Sequence, residues 1–256
     1  MNTLWFLSLL TLLLGLAAQG QSFVATSTHG CEFLKTQVQD VETSVPAMLL
    51  KCDPKVTEVK LLATSAVLGG ENAYAAFSLR EVWAKTGASI VVNAGSTASF
   101  STPMPAGLLK VRGKILNRVK DVPSEQHPGV LCLEKNRVRI IRLPGDGETI
   151  TGCIDAVQRG PVLTTDLVPQ KDGSSRFRRT VAAVDGEGNF LLLVTADGAR
   201  LSAVAGFLYK PEFHVLSALN LDGGASSGLL FSIGGGQTSL IGNVDGLVAS
   251  VIAIGK

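Results

Sequence analysis

The residues best suited to chemistry lie in one short stretch, "LSALNLDGGASSGLLF", at 216–231. Apolar, strand-like ends enclose Asn220, Asp222, Gly223, Gly224 and Ser226. Burying an amide and a carboxylate at a strand end costs free energy unless partners satisfy them. Glycine directly after them lets a backbone approach a ligand, because no Cβ stands in the way. A second segment, "SIVVNAG", has the same design and runs an apolar strand into Asn93 and Gly95. Two such ends, far apart in sequence, can converge on one pocket. The competing reading is local: Asp-Gly is a common turn signal, and the two asparagines then bond only backbone. The residues alone leave both open.

Other chemistry-bearing groups are scattered. His29, His127 and His214 have no partner at metal-ligand spacing; His214 precedes the motif strand, where a proton carrier and a surface or core residue are both open readings. The run Arg176, Phe177, Arg178, Arg179 reads as a phosphate clamp or as a solvated loop face, and Arg159 before Gly160 and Pro161 as a substrate contact or a surface residue. No cofactor is expected. Calcium is the one metal whose preferences suit Asp222, with its carboxylate, amide and backbone oxygens, but no full ligand set is visible.

The elements that must position these residues begin after a leader. "MNTLWFLSLLTLLLGLAAQGQS" has an apolar core followed by small residues and is shorter than the roughly 20 apolar residues of a spanning helix. It reads as a secretory signal over residues 1–22, cleaved near 18–22, leaving a secreted or periplasmic protein with no stable membrane anchor. Residues 23–256 are then long enough for one domain with its own core. A net charge of +2, from 23 basic and 21 acidic residues, argues against a nucleic-acid partner. At 5% aromatic residues, stacking platforms are few. Cys31, Cys52, Cys132 and Cys153 are an even set in an oxidising compartment, so two disulfides are expected, with three possible connectivities. The equal spacing within each neighbouring pair makes local pairing, Cys31 with Cys52 and Cys132 with Cys153, the preferred one.

Strand patterns dominate: "AMLLKCD" bounded by Pro46, "EVKLLATSAVL", and a closing "GLVASVIAI". Hairpins are expected at Arg112 and Gly113, at Lys135 and Asn136, between Asp185 and Asn189, and at the triple glycine Gly234, Gly235 and Gly236. "FSLREVWAKTGA" reads as a helix capped by Ser78 and Glu81 and stopped at Gly87. "RLSAVAGFLYK" reads as a second helix ended by Pro211, and "TTDLVPQKDGSSRFRR" as a mobile loop. The fold class is α+β: a single strand-rich domain with mixed or antiparallel sheets and two or three helices.

Six blocks in order, "LKCDPKVTEVKLLA", "FSLREVWAKTGASIVVNAG", "PAGLLKVRGKIL", "AVQRGPVLTTD", "RRTVAAVDGEGNFLLLVTADG" and "ALNLDGGASSGLLF", resemble the phosphodiester glycosidase family. The resemblance covers most of the chain after the leader, and its most specific piece is N-L-D-G-G-x-S-S. It implies hydrolysis of the bond between a sugar's anomeric carbon and a phosphodiester. Residue by residue, it implies Asp222 as the motif carboxylate and Asn220 as the strand-end amide, both catalytic. Gly223, Gly224 and Ser226 become the tight wall, Arg179 and Thr180 match the start of R-T-A, and Asn93 and Gly95 match the N-G-G-F-F block. An arginine fork suits phosphate oxygens, and a carboxylate stabilises or attacks an oxocarbenium-like centre. A phosphodiester is a weakly basic leaving group, so one carboxylate can suffice, with Asp197 or Asp185 as second candidates. The chain departs from the pattern at Ala94, Ser96 and Thr97, at Val181, and in offering Asp245 where the family carries an arginine before the final strand. The changed N-G-G-F-F block favours an alternative, a non-catalytic envelope protein of the same fold that binds anionic glycans, while the intact Asn220, Leu221, Asp222, Gly223 and Gly224 argue against it. A purely structural secreted domain is the third reading.

Overall fold

The strand "FLLLVT", Phe190–Thr195, is buried at every position because both faces of its sheet are covered. Leu191 and Leu193 face one apolar cluster, while Phe190, Leu192 and Val194 face another. That two-sided burial organises the molecule. The computed structural model of the chain describes residues 22–68, 75–97, 105–118, 129–143, 150–163 and 175–255. The expected signal lies outside these residues except for Ser22, as does most of the expected mobile loop.

The largest sheet has seven strands in the order β1, β2, β3, β14, β13, β15, β12. These are Val24–Ala25, Cys31–Asp40, Thr43–Cys52, Phe190–Thr195, Thr180–Asp185, Val215–Asn220 and Val162–Leu163. A five-stranded sheet joins β10 (Arg137–Arg142), β9 (Gly129–Glu134), β11 (Asp155–Arg159), β7 (Leu109–Val111) and β8 (Lys114–Asn117). A second five-stranded sheet joins β17 (Gln237–Gly242), β16 (Gly228–Gly234), β6 (Ile90–Asn93), β19 (Ser250–Ile254) and β4 (Val59–Ala63). A small pair joins β18 (Leu247–Val248) to β5 (Phe77–Ser78). The pairings among the described residues are antiparallel.

Each of the three large sheets gives one face to a shared core that includes Phe33, Leu50, Ile90, Leu131, Leu192, Leu219, Phe231 and Ile252. Helix α3 (Leu201–Leu208) covers the outer face of the seven-stranded sheet with Leu201, Val204 and Leu208. Helix α2 (Leu79–Thr86) covers the outer face of the β6 sheet with Leu79 and Val82. The Ser78 and Glu81 capping box is formed at its start, and Gly87 ends it at φ 62°, a conformation that suits glycine. No helix among the described residues is long and apolar enough to cross a membrane.

Three expectations are corrected. "EVKLLATSAVL" is not one strand: β4 ends at Ala63 and helix α1 (Thr64–Leu68) follows. The ladder to β19 runs out at Ser250, and Thr64 turns its amide and hydroxyl to the Ala249 carbonyl. The closing strand is likewise two, β18 and β19, broken at Ala249. Pro46 lies inside β3 rather than bounding it. Its carbonyl accepts from Ala196 just past the last β14 pair, Thr195 with Ala47, so its missing N–H faces a position where the ladder has ended. The preferred disulfides form, Cys31 to Cys52 across β2 and β3, and Cys132 to Cys153 beside the β9 sheet.

Candidate functional site

Four strand ends meet at one place. Strand β6 ends at Asn93, β15 at Asn220, β11 at Arg159, and β13 begins there at Thr180. Asn93 is fully buried and its side-chain amide bonds three segments. Its Nδ2 donates to the Asp222 carbonyl at 2.8 Å, and its Oδ1 accepts from Thr180 Oγ1 at 2.7 Å and from the Gly228 amide at 3.1 Å. The Asp222 amide donates to the Ala94 carbonyl at 3.0 Å, and Ser227 Oγ lies 3.4 Å from the Asp222 carbonyl. The main chain of Asp222 is therefore pinned from both sides, which fixes where its carboxylate stands.

That carboxylate is largely buried, and its Oδ1 accepts from Arg159 Nη2 at 2.8 Å. Arg159 reaches it because β11 is followed by Gly160 and Pro161, which dock on the motif strand. The Asn220 amide donates to the Pro161 carbonyl at 3.0 Å, and Asn220 Nδ2 donates to the Gly160 carbonyl at 3.1 Å. This orientation leaves Asn220 Oδ1 buried without a partner among the described residues, an acceptor that a bound hydroxyl would satisfy.

The remaining expected site residues fall into two groups. Thr180 is buried against Asn93. Gly95 is small for the sake of the protein itself: a Cβ there would stand 2.9 Å from both Ser250 and Val157. Gly223 is similar, 3.0 Å from the Arg178 carbonyl. Gly224 faces open space and holds φ +69°, and Ser226, in the 3-10 turn Gly224–Ser226, is half-buried. Arg179 is brought to the same strand end, but its fork is committed to main chain. Nε donates to the Ala199 carbonyl at 2.9 Å, Nη2 to that of Ser175 at 3.2 Å, and the guanidinium sits over Phe177.

The second-carboxylate candidates lie elsewhere. Asp185 closes the β13–β14 turn at the far end of β13, accepting from the Glu187 and Asn189 amides and from Asn189 Nδ2. Asp197 is exposed on the bend after β14. His214 is exposed at the opposite end of β15 from Asn220. Asp245 forms an exposed pair with Arg80. No group of three or more His, Cys, Asp or Glu able to hold a metal occurs among the described residues. A guanidinium on Asp222 further disfavours a cation there.

The sequence underweights Arg159. Its partner lies 63 residues away, in the segment that follows a strand of another sheet, and the only local hint is its place at the end of an apolar strand, immediately before Gly160 and Pro161.

Residues 86–254 match the sequence profile of the phosphodiester glycosidases. The chain belongs to that family. A search among curated proteins finds no match. Solved structures share the phosphodiester glycosidase fold seen here. The catalytic domain of zebrafish N-acetylglucosamine-1-phosphodiester α-N-acetylglucosaminidase, auto-inhibited by its pro-peptide, superposes with TM-score 0.64 at 17% identity, over 92% of this chain and 88% of that one. A hypothetical protein from Synechocystis gives 0.62 at 16% identity over 93% of this chain, which spans 64% of that protein's length. A Burkholderia pseudomallei protein described as exported gives 0.59 at 14%, over 86% and 76%. At these identities the likeness is one of fold.

Proposed function

We propose that the protein is an exported glycosidase that hydrolyses a sugar-1-phosphodiester and releases the sugar. The observation that carries this reading is a rigidly held, largely buried carboxylate, Asp222, paired with Arg159 where four strand ends meet. In the step proposed, the bond between the anomeric carbon and the phosphodiester oxygen breaks and its electron pair leaves with the phosphodiester. Water adds to the anomeric carbon and gives up a proton. Asp222 stabilises or captures the positive charge that develops at that carbon. The phosphodiester is a good leaving group, so the absence of a second carboxylate at Asp222 among the described residues does not count against the chemistry. Asn220 Oδ1 is suited to receive a sugar hydroxyl. Export is supported by the apolar leader and by two disulfides, bonds that persist in oxidising compartments.

Hydrolysis of an N-acetylglucosamine-1-phosphodiester in heavy-oxygen water tests the bond assignment. Label in the released sugar supports cleavage at the anomeric carbon; label in the phosphate would make the protein a phosphodiesterase instead. A second reading, binding of anionic glycans without turnover, draws on the Arg159 pair, which occupies one Asp222 oxygen. Glycan affinity with no sugar release would select it.

A further inference from the structure

Two adjacent arginines stand at the head of β13 and are used differently. Arg179 is buried, with its fork on the Ala199 and Ser175 carbonyls. Arg178 is half-buried, and its main chain underlies the motif turn: its carbonyl accepts the Gly224 amide at 2.9 Å. Thr180 likewise gives its carbonyl to the motif segment, accepting from Leu221 at 2.8 Å, whereas the Arg179 carbonyl accepts from Thr195 on β14. Residues of an extended chain that bond the same neighbour project from the same face. Arg178 therefore shares the face on which Thr180 meets Asn93.

The Arg178 guanidinium uses Nε on the Ala196 carbonyl at 2.9 Å, and it takes no carboxylate among the described residues. Two other nearby carboxylates are already paired. Asp40 is shared by Arg176 and Arg200, and Asp222 holds Arg159. A half-buried guanidinium with no carboxylate partner among the described residues, on a residue whose main chain underlies the glycine-lined motif turn, is a place where an anion gains charge-assisted hydrogen bonds.

We propose that Arg178, not its neighbour Arg179, is the anion-binding residue of this site, and that it grips a phosphate oxygen of the substrate while Arg159 stays on Asp222. This rests on the reading of the site as one for a sugar-1-phosphodiester, but its test needs no turnover. The full oxidised chain is titrated calorimetrically with inorganic phosphate and with dimethyl phosphate, a diester that carries no sugar. Wild type binds. Arg178→Gln binds about ten- to a hundredfold more weakly, the value of one charge-assisted contact. Arg178→Lys, which keeps the charge and loses the fork, falls between them and guards against a folding defect in the first variant. Arg80→Gln, removing an exposed arginine elsewhere, binds like wild type. No binding by wild type, equal binding by Arg178→Gln, or equal losses in Arg178→Gln and Arg80→Gln would overturn the assignment. Anion binding that depends on Arg178, in a protein that releases no sugar, would retire the glycosidase reading and keep this one.

Discussion

The side-chain amide of Asn93 donates to the main-chain carbonyl of Asp222 at 2.8 Å, joining residues 129 apart in sequence. Asn93 thus acts on the carboxylate through the backbone that carries it. The same amide accepts from Thr180 and Gly228, so one buried side chain sets the relative positions of β6, β13 and β16. A site built this way gains precision from rigid strands rather than from loops.

Asn93→Ala strands the Gly228 amide and the Thr180 hydroxyl in a dry interior and leaves the Asp222 carbonyl with only the long Ser227 contact. The expected loss is about 3 kcal/mol of folding stability, since each orphaned buried group costs about 1–3 kcal/mol. Urea unfolding measures it. A loss below about 1 kcal/mol would mean that neighbours or water replace the amide easily.

Arg159→Gln removes the cation from Asp222 but keeps a donor of similar reach. Both partners retain some solvent contact, so the stability cost is about 1–2 kcal/mol, below that of a fully buried pair. Sugar release is expected to fall much further than stability does. Unchanged turnover would show the ion pair to be architectural.

Each disulfide closes a loop with a sequence separation of 21, which corresponds to about 3 kcal/mol on the chain-entropy account. Paired serine replacements at Cys31 and Cys52, or at Cys132 and Cys153, should each lower the thermal midpoint. The reductant sensitivity of the midpoint should shrink in each double variant. A midpoint indifferent to reductant would contradict the pairing.

The main-chain amide and hydroxyl of Ser78 hold the Glu81 carboxyl below its ordinary value of 4.5. A depressed carboxylate adds stability that is present above its unfolded value and lost as pH falls through the folded one. The stability gap between wild type and Glu81→Gln should therefore be open near neutral pH and close on acidification below the ordinary value. A gap that ignores pH would remove the capping box from the account.

Where turn chemistry is local, the sequence shows it plainly. The hairpin at Arg112 and Gly113, at φ 50° and 78°, and the triple-glycine turn both stand where those residues demand. Strand β2 is harder to see, because Lys35, Gln37 and Gln39 occupy its exposed positions and are poor strand formers. Its identity comes from pairing with β3, a contact that composition does not carry. Helix α1 and the break at Ala249 are similar, each decided by where a neighbouring ladder ends. In the site, the strand-end pattern marks Asn93, Asn220 and Asp222. What it cannot supply is long-range partnering: Arg159 on Asp222, and the division of labour between Arg178 and Arg179, follow from how separate sheets pack.

The central claim is that Asp222 performs glycosidic cleavage, and it is tested most directly by sugar release. The oxidised protein lacking residues 1–22 is given an N-acetylglucosamine-1-phosphodiester, with wild type beside Asp222→Ala and with and without calcium. The account predicts free sugar from wild type, independent of calcium, and at least a hundredfold less from the variant, roughly the share carried by one catalytic group. Equal release from both proteins, or none from wild type across a panel of sugar-1-phosphodiesters with both proteins equally folded, would contradict it.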